Sequence, residues 1–251
     1  MNYVRGIVFI TVLFVQSVAA QTSGYPSFWA RTVGKLPTLA YGLGEDRLGG
    51  AKMGYLDTNV LLKVVDTAKS MFQVQLSKNR FAYIDKQFIV VDTNALDKPL
   101  TFFPYTSNSI IAKGDSLFDY VSIRLPEKLP YQSWMDINPS KINIDIFGVA
   151  SNTNWITQLS SLQEVKNVYY HQIDDDILRV TIELQHKQHW GYALHYSNKG
   201  LELIVRRQPQ DLDLTKMVIA IDAGHGGTNV GADGICTKVQ EKNATLLFAK
   251  A

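Results

Sequence analysis

The sequence predicts a multidomain, mostly β chain that closes on a single strand–loop–helix segment. Three observations predict it. Apolar and polar residues alternate over short runs, most clearly at 71–76 (MFQVQL) and 141–147 (KINIDIF). Glycines and prolines separate those runs at short intervals. Near the end, an apolar run at 218–221 stops at Asp222, and a glycine-rich loop then leads to a helix-like segment opening at Glu241.

Composition bounds the possibilities. A chain of 251 residues suffices for one to three domains. With 46% hydrophobic and 19% charged residues, it is a folded chain and not a disordered one. A formal net charge of +2, with no cluster of Lys and Arg, argues against a nucleic-acid binder. Residues 1–20 join Arg5 to an apolar run at 6–15 and to small residues at Val18, Ala19 and Ala20. This is the pattern of a secretory signal peptide cut after Ala20. An uncleaved anchor is the alternative, although the run is shorter than the ~20 residues a membrane span needs. Either reading exports the rest, with no stable membrane span after signal cleavage. Cys236 is the only cysteine, so no intramolecular disulfide can form. An exported chain without disulfides suits the periplasm or cell envelope of a bacterium.

After a short linker at 21–28, residues 29–92 contain β-rich runs at 60–65, 71–76 and 88–91. Turn glycines stand at Gly42, Gly44, Gly49, Gly50 and Gly54. Strands this short and close predict a small β-barrel of about 60 residues. Residues 46–54 (DRLGGAKMG), the 60–65 strand, 72–77 (FQVQLS) and 82–84 (AYI) resemble a bacterial Src-homology-3-like domain. The resemblance implies contact with peptidoglycan, or a module that only spaces its neighbours. Tyr41, Tyr55 and Tyr83 are candidates for stacking on sugars, although aromatic residues in a small barrel more often belong to its core.

A turn-rich connection at 92–104 leads to a second β-rich region at 105–208, with runs at 120–125, 141–147, 168–171, 177–184, 192–195 and 201–205. In 141–147, Ile142, Ile144 and Ile146 share one face and Asn143, Asp145 and Phe147 the other. One polar sheet face predicts a two-layer, sandwich-like β domain. The spacing of its strands and loops is similar to that of the AMIN-type domain, which implies a role in locating an amidase on the wall.

Four of the five histidines lie in this region: His171, His186, His189 and His195. His186 and His189, three apart on a strand or loop, point to opposite faces, and no carboxylate or cysteine accompanies them at ligand spacing. Residues 174–176 (DDD) read as a hairpin turn, since a calcium loop needs six or more oxygens. Residues 208–215 form the last linker.

The final segment, 216–251, carries the chemistry. Gly224, Gly226 and Gly227 surround His225, and Gly231 and Gly234 follow. A phosphate loop is disfavoured, because no Lys-Ser/Thr follows and the GxGxxG form is absent. The remaining use of such a loop is to present an imidazole at the end of a strand. Glu241, sixteen residues after His225, can fold back to meet it. A histidine, a carboxylate and one more imidazole, with water in the fourth position, is the donor set of catalytic zinc. Asp222 is a candidate to orient His225 through its second ring nitrogen, and equally a strand-end cap.

Residues 219–234 (IAIDAGHGGTNVGADG) with 240–243 (QEKN) closely resemble the opening of the zinc-dependent N-acetylmuramoyl-L-alanine amidase family. Ala223, Asn229, Gln240 and Asn243 depart from its usual proline, aspartate, lysine and aspartate, none of them a metal ligand in the family. The resemblance implies that His225 and Glu241 are the first two ligands of Zn2+. The third ligand (a later histidine) and the catalytic glutamate are expected beyond Ala251, so the chain reads as the truncated start of an α/β zinc amidase domain. An apolar stripe on the expected helix (Ala244, Leu246, Leu247, Phe248) points the same way. The full-length protein is then expected to cleave the amide between N-acetylmuramic acid and L-alanine in peptidoglycan, and this stretch alone to be inactive. The alternatives are a non-catalytic peptidoglycan-binding protein and a degenerate amidase that regulates others.

Overall fold

The computed structural model describes residues 25–43, 51–100, 104–198 and 200–251. The expected signal peptide at 1–20, the turn positions Gly44, Gly49 and Gly50, and the first half of the 46–54 stretch lie outside the described residues. No helix among the described residues is long and apolar enough to cross a membrane. The chain is mostly β, arranged in several sheets, with one α-helix among the described residues.

The first seven strands are β1 (Phe28–Thr32), β2 (Thr38–Ala40), β3 (Lys52–Tyr55), β4 (Leu61–Ala68), β5 (Met71–Ser77), β6 (Arg80–Asp85) and β7 (Ile89–Val91). They form one antiparallel sheet in the order β3-β2-β6-β5-β4-β1-β7. The expected barrel does not close. Closure requires the two terminal strands to pair with each other, whereas β3 and β7, of four and three residues, each pair on one side only. Edge strands this short expose few unpaired backbone groups, so the open sheet carries a small edge.

The second region holds β8 (Tyr105–Ser107), β9 (Ser109–Gly114), β10 (Phe118–Arg124), β11 (Tyr131–Asp136), β12 (Lys141–Phe147) and β13 (Val149–Ser151). It continues with β14 (Ile156–Gln158), β15 (Val165–Asp174), β16 (Ile177–Leu184), β17 (Tyr192–Ser197) and β18 (Gly200–Arg206). One sheet runs β14-β9-β10-β18-β17, another β11-β12-β16-β15, and β13 pairs with β8. Residues 175–176 form the turn between β15 and β16, with Asp174 opposite Ile177.

Strand β12 shows how the alternation is used. Ile142, Ile144 and Ile146 are buried, as the pattern requires. The opposite face is not solvated, however, because Asn143, Asp145 and Phe147 are buried as well. Neighbouring strands supply the cover and the partners. Arg179 on β16 donates through Nε and Nη2 to Asp145 at 2.7 and 2.8 Å, and its guanidinium lies 4.7 Å from the Trp134 ring centre. Thr181 donates to Asn143 Oδ1 at 2.9 Å, and Asn143 Nδ2 donates to Asp136 at 2.7 Å. Asn143 and Asp145, the buried polar residues of β12, are thus both matched, which avoids the cost of an orphaned group there.

Apolar residues of both β regions, among them Ala30, Ile84, Ile110, Ile144 and Val205, form one hydrophobic cluster. The two regions belong to a single compact unit that ends at Gln208. Polar contacts fasten them together. Asp57 Oδ2 accepts from the Tyr131 hydroxyl at 3.1 Å and from the Tyr196 backbone N–H at 2.7 Å. Arg31 on β1 donates to Asp92 at 2.7 Å and reaches Glu127 with two nitrogens at 2.7 and 3.0 Å.

The second compact unit is 209–251, and none of its residues is buried. The expected buried strand at 218–221 does not form. Those residues pair with no strand, and Val218 is 100% exposed. A strand needs neighbours for its N–H and C=O groups, and within this unit pairing is confined to two isolated bridges, Gly226 with Asn229 and Asp233 with Gln240. The helix does form, as α1 (Glu241–Lys250).

Candidate metal centre

The loop before α1 is bent by residues in the left-handed region. His225, Gly227 and Gly231 have φ of 64°, 53° and 69°. For a histidine that conformation costs about 1–3 kcal/mol, so the surroundings must hold it in place. They do so through a narrow turn, with N–H···O bonds of 2.9 Å in both directions between Gly226 and Asn229. Helix α1 straps the loop from the other side. Lys242 N–H donates to the Val230 carbonyl at 3.1 Å, Lys242 Nζ to the Gly227 carbonyl at 3.0 Å, and the Thr245 hydroxyl to the Gly224 carbonyl at 2.5 Å.

The two expected ligands are brought together. His225 Nε2 lies 3.4 Å from Glu241 Oε2. Glu241 stands in the first turn of α1, where an acidic side chain suits the helix dipole. Its placement is doubly fixed: its Oε2 accepts from the Ala232 N–H at 2.8 Å, and its own N–H donates to the Ala232 carbonyl at 2.9 Å. Gly231 is the residue that permits the approach. A Cβ there would fall 2.7 Å from Glu241 Oε2 and 2.9 Å from His225 Cδ2.

Asp222 does not take the orienting role expected of it. It is exposed, and His225 Nδ1 meets Asn229 Oδ1 instead, at 3.1 Å. Asn229 Oδ1 also accepts from the Gly231 N–H at 3.1 Å, so this oxygen is an acceptor and His225 Nδ1 carries the proton. In the neutral imidazole this tautomer turns the Nε2 lone pair toward Glu241. In the sequence, Asn229 stands out only as a departure from the aspartate of the family it resembles. The available signal was chemical, since an asparagine keeps the acceptor oxygen of the acid it replaces.

Ligand bonds of ~2.0–2.2 Å around a tetrahedral ion set two donor atoms about 3.4 Å apart. His225 Nε2 and Glu241 Oε2 stand at that separation, with the tautomer a metal ligand needs. The pair therefore fits two corners of a zinc site. Among the described residues, no group of three or more His, Cys, Asp or Glu side chains converges on a common point. His186 and His189 turn to different partners, Glu164 at 2.7 Å and Ser140 at 3.1 Å. Against this geometry, comparison with protein-family models and with curated proteins finds no match to the chain.

Proposed function

We propose that this chain is the β-rich and metal-binding part of an exported peptidoglycan hydrolase, a zinc-dependent N-acetylmuramoyl-L-alanine amidase. The observation that carries the reading is the His225–Glu241 pair at 3.4 Å, with Asn229 fixing the tautomer that frees Nε2. Export rests on the character of residues 1–20, and the wall as target on the resemblance of the β regions and of residues 219–243. Bound zinc supplies Lewis acidity and a water that ionises near neutral pH. The residues of this chain contribute position. Asn229 holds the Nδ1 proton, Gly231 leaves room for the two donors to converge, and Ala232 fixes the carboxylate. Hydrolysis also needs a third ligand and a proton acceptor, which the described residues do not bring to the pair.

A second reading, a wall-binding protein without catalysis, draws on one observation: every buried residue described lies before Pro209. Zinc titration separates the two. Micromolar or weaker binding is expected for this chain, lost in His225→Ala and in Glu241→Ala, because two protein ligands leave an ion half-coordinated. Binding unchanged in both variants would remove the metal centre. Stem-peptide release from purified peptidoglycan by a zinc-loaded polypeptide spanning the complete catalytic domain then tests the amidase itself. Absence of release with zinc bound favours the binding protein.

A further inference from the structure

A groove of about 350 Å³ lies within the first compact unit, where the first sheet meets the β11-β12-β16-β15 sheet. That volume is at the lower end of small-ligand sites, which run ~300–1,000 Å³. One side carries Tyr41 and Phe81, residues that are 54% and 46% exposed, and Arg80 beside them. The other carries Gln132 and the Asp145–Arg179 pair, the latter stacked on Trp134. The Tyr41 hydroxyl donates to Gln132 Oε1 at 3.3 Å and so links the two sides.

Each feature selects a ligand. Large rings left half in water offer apolar faces of the size that the C–H face of a sugar covers, and their neighbours offer polar edges. A flat carboxylate–guanidinium pair presents an acceptor and donors side by side, which matches adjacent hydroxyls. Among the described residues that line the groove, Arg80 is the cation with no ion-pair partner. A guanidinium in this setting prefers a planar anion.

We propose that this groove binds a saccharide chain whose sugars bear free carboxylates. The choice of glycan rests on the hydrolase reading given above. Hydrolysis of the lactyl–alanine amide adds water across the C–N bond. It leaves a carboxylate on the sugar side and an amine on the peptide. The groove is therefore a product-strand site, which keeps the protein on glycan already stripped of its peptides.

Calorimetric titration of the whole chain in EDTA tests this without the metal centre, so failure of the groove and failure of the hydrolase reading are distinguishable. The probes are peptide-free glycan strands, the same strands with carboxyls reduced to alcohols, and free stem peptide. The stripped strands are expected to bind, and the reduced ones about tenfold more weakly, the order of a lost charge-assisted hydrogen bond. Arg80→Ala is expected to lose the same factor and to bind both strands alike. Phe81→Ala is expected to weaken both, and Trp155→Ala, exposed and outside the groove, neither. Equal affinity of the unaltered chain for native and reduced strands overturns the proposal without recourse to any variant. So does absence of strand binding, or binding of free stem peptide in place of strands.

Discussion

Asn229 makes the contact to His225 Nδ1 for which Asp222 was one candidate in the sequence, with a strand-end cap as its other reading. Both residues lie within four positions of His225, and both carry an oxygen that can accept from an imidazole N–H. Backbone conformation decides between them. The turn closed by Gly226 and Asn229 brings the Asn229 side chain back to Nδ1 of the ring, while Asp222 lies before the bend. His225 and Glu241 were legible as ligands because their residue types and their setting in the motif announce the chemistry. The orienting residue was not legible, because its role follows from a positive φ at His225 that no residue type encodes. Asn229→Ala is expected to weaken zinc binding about tenfold or more, as loss of an orienting partner does. Asn229→Asp restores the acceptor and is expected to retain the affinity. A competition titration against a zinc chelator measures both, and equal affinity for Asn229→Ala and the unaltered chain removes the positioning role.

At the scale of elements, polar residues that look dispensable in the sequence turn out to hold strands and loops in place. Asp119 on β10 is fully buried. Its Oδ2 accepts from the N–H groups of Gln163, Glu164 and Val165 at 3.0, 2.7 and 2.7 Å, and its Oδ1 from Arg207 Nε at 2.8 Å. One carboxylate thereby fixes the entry to β15 and the residue after β18. The Arg31, Asp92 and Glu127 cluster does the same for β1 and the segment before β11. Burial pushes both carboxyls up, but the hydrogen bonds and charge of Arg31 outweigh it and hold them below their ordinary values of 3.8 and 4.5. Groups with depressed values stabilise the fold at pH above the unfolded values, and that contribution is lost as pH falls through the folded ones. Glu127→Gln is therefore expected to lower the melting temperature at pH 7. Its difference from the unaltered chain should shrink progressively below about pH 4.5. A difference constant from pH 7 to pH 3 would show that the ion pair contributes nothing. The alternation in β12 was legible, since period two is written in the residues themselves. The fate of 218–221 was not, because an apolar run states that a strand is favourable and not that a neighbour exists to pair with it.

At the largest scale, the first compact unit joins two β regions that the sequence divides. Composition and turn residues at 92–104 separate two β regions, and no strand pairing crosses that connection among the described residues. Yet one hydrophobic cluster spans both, and the bond from Tyr196 N–H to Asp57 joins residues 139 apart in sequence. Contacts of that range leave no local signature, so only the strands were readable and not their shared core. Two regions with a common core lose their apolar burial together when either opens, and burial is the dominant favourable term. Native-state hydrogen exchange in rising denaturant is expected to show β4 and β5 losing protection with β12 and β16, at one common free energy. Asp57→Ala leaves the Tyr196 N–H without its acceptor and the Tyr131 hydroxyl with only the Leu194 carbonyl, at 3.4 Å. It is expected to lower that common value by about 1–3 kcal/mol in both regions alike. Amides of 218–221, exposed and unpaired, are expected to exchange without protection throughout. Opening free energies that separate the two β regions, or an Asp57→Ala effect confined to one of them, would show that they fold as independent domains.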